Sequence, residues 1–126
     1  MYKVRNFLKE IKYAVQRACR GYDDAELYSI SYSFIKRMNL ILPVFKDKHS
    51  GCPYGLKEHE WNNILDEMIY EFRLADEDNF SKHFSEKYNI DLIKDEYDIK
   101  DYCNELDLHQ QKALSLFIKY FNDLWD

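Results

Sequence analysis

The feature that most limits this chain is how little it has to turn with: three Gly and two Pro in 126 residues, both Pro inside 43–53. Gly and Pro are the strongest breakers of regular structure, so their scarcity predicts long uninterrupted helices. No low-complexity linker interrupts the sequence, and a chain of this length can bury a core without disulfides or metals. One domain over 1–126 is therefore expected.

Apolar spacing places the helices. Val4, Phe7, Leu8, Ile11, Ala14, Val15 and Ala18 recur at three- and four-residue steps, and Gly21 follows as a C-terminal cap. Asp23 and Glu26 have the spacing of a capping box for a second helix, with Tyr22 and Leu27 at staple positions. That helix carries Leu27, Ile30, Phe34, Met38, Ile41 and Phe45 in one stripe, and Pro43 should kink it or end it near Leu42. Residues 47–55 read as an ordered loop. A third helix, Lys57 to about Asp76, turns Trp61, Ile64, Leu65, Met68, Ile69, Phe72 and Ala75 inward. A short helix reaches Tyr88 through Phe80 and Phe84, and another carries Asp95, Asp98 and Asp101 toward Cys103. The last opens on Asp107 and Gln110 as a capping pair, with Leu114, Phe117, Ile118, Phe121 and Trp125 on one face. With no credible strand pair, the expected fold is an all-α bundle of five or six helices. Its core should include Phe7, Ile11, Phe34, Met38, Trp61, Leu65, Met68, Phe72, Phe117 and Phe121.

Cys19, Cys52 and Cys103 lack paired C-x-x-C spacing and read as free thiols, two of them in apolar helix faces. His59-Glu60 lacks the second His of a zincin helix, and the three-step aspartates read as a solvated face, so neither metal nor cofactor is implied. No apolar run approaches the roughly 20 residues of a spanning helix, and "MYKVRNFLKEIKY" is charged throughout. A cytoplasmic protein without membrane association is expected. Residues 1–60 carry 11 Lys/Arg against 7 Asp/Glu, whereas residues 61–126 carry 7 against 16, within a net charge of −5. Either two oppositely charged halves fold against each other, or the first half offers a basic face to a polyanion. Duplex DNA is not the expected ligand, because a basic helix binds it only by neutralising phosphates and the net charge opposes that.

The combination "RACRGYDDAELYSISY", an apolar helix, then "HSGCPYGLKEHEWNNILDEMIYEF" resembles a family of small phage and prophage proteins. The shared pattern is Arg-Gly-aromatic-x-Asp, an aromatic several residues on, a His-Gly-Pro-Gly type loop, and Glu-x-Trp-x-x-Ile-Leu-x-x-Met. It covers about residues 17–78, leaving about 79–126 as a helical extension. Lys57 stands where the family has a capping Thr or Ser, an Asp near Ser31 is missing, and Ser50 separates His49 from Gly51. The resemblance implies a viral origin and a shared site, and brings no reaction with it.

Two joints carry more side-chain chemistry than a turn needs. If a kink at Pro43 brings them to one end of the bundle, Arg20, Tyr22, Tyr28, His49, Tyr54 and Trp61 surround two helix N-termini. Aromatic faces and Arg with free N–H groups suit a nucleotide or another planar anion. The alternative is that Trp61 and Tyr28 are core residues while Arg20 and His49 bond loop carbonyls. No catalytic residue is assigned; Cys52 near His49 lacks a third orienting group. The expected function is a phage-type accessory protein that binds, countering a host defence by sequestering a nucleotide signal or occluding a host protein in the bacterial cytoplasm. A homo-oligomeric assembly module is the second reading and a small-nucleotide hydrolase the third.

Overall fold

The computed structural model describes residues 2–125. They form six α-helices: α1 (Tyr2–Arg20), α2 (Asp24–Tyr28), α3 (Ile30–Lys48), α4 (Glu58–Ala75), α5 (Glu77–Tyr88) and α6 (Ile99–Lys119), with a closing 3-10 turn at Phe121–Asp123. No strand occurs among the described residues, so the chain is all-α. Its contacts divide into two compact units, one ending at Phe34 and the other beginning at Ile35.

In the first unit, α1 and α2 meet across Gly21. Gly21 adopts φ +86°, a conformation that L side chains rarely take, and its N–H donates to the Arg17 carbonyl at 2.9 Å. Asp23 then caps α2, accepting from the Glu26 N–H at 2.8 Å. Arg17 closes on the same buried carboxylate at 2.5 Å. The second helix is not continuous to Leu42. Ser29 takes an extended conformation, φ −148° and ψ 94°, and its hydroxyl accepts from the Tyr32 N–H at 3.4 Å, so one helix ends there and α3 begins. The apolar stripe of α1 is a second correction: Val4, Phe7, Leu8, Ile11 and Val15 are all exposed, and so are Tyr22 and Leu27. Periodicity establishes that a helix is two-faced; it does not supply the partner.

In the second unit, α4 is the hub. Trp61, Leu65, Met68, Phe72, Leu74 and Ala75 are buried, and α6 and α5 pack on this helix. Phe117 meets Phe72 edge-on at 6.1 Å between ring centroids. A satellite cluster joins α5 to α6 through Phe80, Phe84 and Tyr102, with Ile90, Leu92, Tyr97 and Leu106 around it. The Tyr102 hydroxyl pairs with Ser81 at 2.8 Å, and burial pushes its pKa upward. α5 and α6 thus share a core with α4.

Polar links tie α3 to α4 and to the α4–α5 turn. Asn39 donates to the Phe72 carbonyl at 3.0 Å, Lys46 reaches Asp66 at 2.5 Å, and Lys36 reaches Asp76 at 2.7 Å and Asp78 at 2.9 Å. The helix runs past Pro43 to Lys48, and Pro43 itself is exposed. α6 is also longer than expected. Asp98 caps it, accepting from the Lys100 N–H at 2.9 Å, and the helix runs unbroken through Asp107, which is no cap. Asp95 lies before α6, where its carboxylate accepts from the Asp91 N–H, so the aspartate steps do not form one helical face. Of the expected core, Phe7, Ile11 and Phe121 are exposed, and all three cysteines are exposed and free.

Candidate functional site

The two joints fall in different units, and each is built from its own neighbours. At the first, Arg20 does three things. Its Nε donates to the Tyr22 carbonyl at 3.1 Å, its Nη2 pairs with Asp24 at 2.5 Å, and its guanidinium lies 4.5 Å from the centre of the Tyr22 ring. Gln16 fixes Asp24 from the other side, donating to the carboxylate and accepting from the Asp24 N–H, both at 2.9 Å. Arg20 and Tyr22 therefore clamp the turn by holding each other. The start of α2 is no open anion site, because Asp23 and Gln16 already take its first N–H groups and Asp23, Asp24 and Glu26 surround it with negative charge. Tyr28 stands 94% exposed, which corrects its reading as a core residue.

The clamp has a titration signature. Hydrogen bonds from Gln16 and then Arg20 hold the Asp24 carboxyl below its ordinary range. A carboxyl lowered in the folded state contributes stability above its unfolded pKa, and that contribution disappears as pH falls through the lowered value. We expect NMR titration to place Asp24 below an ordinary aspartate and Gln16→Ala to move it upward. An unchanged midpoint in that variant would remove Gln16 from the clamp.

At the second joint, Tyr54 and Gly55 form the corner of a turn closed by the Leu56 N–H donating to the Pro53 carbonyl at 3.1 Å. Gly55 has φ +87°, as the third residue of such a turn requires. The corner position leaves Tyr54 wholly exposed. His49 anchors the start of the loop: Nδ1–H donates to the Gly51 carbonyl at 2.8 Å, and Nε2 meets the side-chain amide of Asn62 at 3.0 Å. The Cys52 thiol donates to the Leu56 carbonyl at 3.2 Å. Both His49 nitrogens and the thiol are thus engaged away from each other, and the loop holds no aligned nucleophile and base. α4 opens on Lys57 without a side-chain cap, but Glu58 and Glu60 occupy its first turn.

Trp61 is not a ligand-facing residue. It is 1% exposed and packs against Tyr120 at 5.6 Å between ring centroids, so it can stack on nothing from solvent. The aromatic at this joint is instead Trp125, which sequence reasoning had placed on a helix face. It follows the 3-10 turn and lines, with Asp123, Tyr54 and the 50–53 loop, a half-open pocket of about 300 Å³. Trp125 is exposed, and among the described residues of the lining Asp123 is the only Asp, Glu, Lys, Arg or His. Nothing in local spacing links residue 125 to residue 54; only the return of α6 along α4 does. Among the described residues, no three His, Cys, Asp or Glu side chains gather to hold a metal ion.

No family model matches the chain, and neither does a curated protein or a solved structure.

Proposed function

We propose that this is an accessory protein of phage or prophage type that acts by binding in the cytoplasm of an infected or lysogenic bacterium. Its target is a host protein of a defence response, which it occludes. The observation that carries this reading is the pocket between the 50–54 loop and Trp125. Exposed aromatic side chains around a small cavity are a common anchor for a protein partner. Among the described residues its lining offers no Lys, Arg or His to hold a phosphate, and both helix starts near the joints carry carboxylates. A nucleotide signal is therefore the less supported of the two targets, and duplex DNA is supported by neither joint. No helix among the described residues is long and apolar enough to cross a membrane.

The test places a photo-crosslinking side chain at Tyr54 in cells of a bacterial host. One crosslinked host protein, lost when Trp125→Ala is added, is expected. Nucleotide retained on the purified protein, identified by mass spectrometry and released by Tyr54→Ala, would replace this target with the other.

A second reading, a homo-oligomeric module, is favoured by the α1 stripe of Val4, Phe7, Leu8, Ile11 and Val15, whose exposure along one helix is more than a scattering of single residues. Sedimentation of the parent and of Phe7→Glu separates the two readings: a dimer made monomeric by the substitution supports the module.

A further inference from the structure

Among the described residues the pocket lining combines a carboxylate with aromatic side chains and no Lys, Arg or His, and that is a cation-selecting set. We infer that it takes the guanidinium head of an arginine side chain, presented by the partner protein; this rests on the reading above. Tyr54 and Trp125 supply π-systems with a negative face, which attract a cation and stack on a planar one. Asp123 supplies the charge and a carboxylate that a guanidinium fork meets in two places. A guanidinium is both planar and charged, so it uses ring and carboxylate together, whereas an ammonium uses only the charge. At about 300 Å³ the cavity sits at the small end of ligand pockets. That leaves room for a guanidinium head with its aliphatic stem. A phosphate would also meet Asp123 with like charge.

Neighbouring groups leave the site available. His49 is turned onto Gly51 and Asn62, and the Cys52 thiol onto the Leu56 carbonyl, so neither competes for Asp123. Lys119 lies over Tyr120, 5.3 Å from the ring centre, and is not part of the lining.

The experiment titrates the full chain with N-acetyl-argininamide, its neutral citrulline counterpart, adenosine monophosphate, and a short peptide with one central Arg. Trp125 fluorescence is the readout, with Trp125→Phe identifying its part of the signal against buried Trp61. Saturable binding of argininamide, weakened roughly tenfold or more for citrulline and by Asp123→Asn at unchanged melting temperature, is expected. Tyr54→Leu should weaken it in the same sense. Citrulline binding as well as argininamide would overturn the cation inference while leaving a protein target standing. Monophosphate binding more tightly than argininamide would overturn both. Free arginine, titrated alongside, binding more tightly than both argininamide and the peptide would keep the guanidinium site and assign it to a metabolite, which removes the host protein from the reading.

Discussion

Phe72→Ala is expected to lower the free energy of unfolding by about 3–5 kcal/mol, read as a shift in urea midpoint at unchanged slope. Phe72 is 0% exposed in the last turn of α4, where it meets Phe117 edge-on. The same substitution at Phe7 provides the contrast. Phe7 is 64% exposed, so Phe7→Ala should change stability by no more than about 0.5 kcal/mol. Sequence period alone ranks the two residues equally, so the pair tests what packing adds. Equal losses would mean that the α1 stripe is covered in solution.

Asp76→Ala should cost about 2–4 kcal/mol, combining a lost helix cap with a buried charged contact. Asp76 is 4% exposed, ends α4, and caps α5 by accepting from the Asp78 N–H at 3.1 Å. Its other oxygen takes Lys36 from α3 at 2.7 Å. Hydrogen bonds donated to Asp76 and then Asp78 hold the Lys36 ammonium well above its ordinary pKa. A raised lysine contributes fully at every pH below its unfolded value and loses that contribution only above it, in strongly alkaline solution. Asp76→Asn keeps an acceptor for the cap and removes the charge, so its loss should fall between the parent and Asp76→Ala. Thermal or urea melts at pH 7 on the three proteins check the order. If Asn and Ala cost the same, the contact with Lys36 carries the effect and the cap does not.

Helices were legible where apolar residues recur, as α4 shows: Trp61, Leu65, Met68 and Phe72 follow one another at the period of a single face and are all buried. The misses have local causes. Ser29 ends α2 through an extended backbone that no breaker residue announces, since Ser serves helix interiors and caps alike. Asp98 and Asp107 both have the side chain of a cap, and only packing of Tyr102 against Phe80 and Phe84 selects the first, with 5.0 and 5.1 Å between ring centroids. Asp23 was readable as a cap, but Arg17 on its buried carboxylate was not, because residues before a turn carry no spacing rule to residues after it. Of the six candidate residues, Tyr54 alone lines the pocket, beside Asp123 and Trp125 from the far end of the chain.

The arrangement of α4 has a consequence for synthesis on the ribosome. Its buried face is made from residues 61–75, yet the helix that packs on it most extensively, α6, is not complete until residue 119. While the intervening residues are being translated, Trp61, Leu65, Met68 and Phe72 have no α6 to lie against. Translation at about 5–20 residues per second leaves that apolar face uncovered for seconds, long enough to recruit a chaperone or another nascent chain. The α1–α2 turn, held by Arg17, Arg20, Gln16 and two aspartates, closes entirely within residues 1–34 and can form as soon as it leaves the exit tunnel.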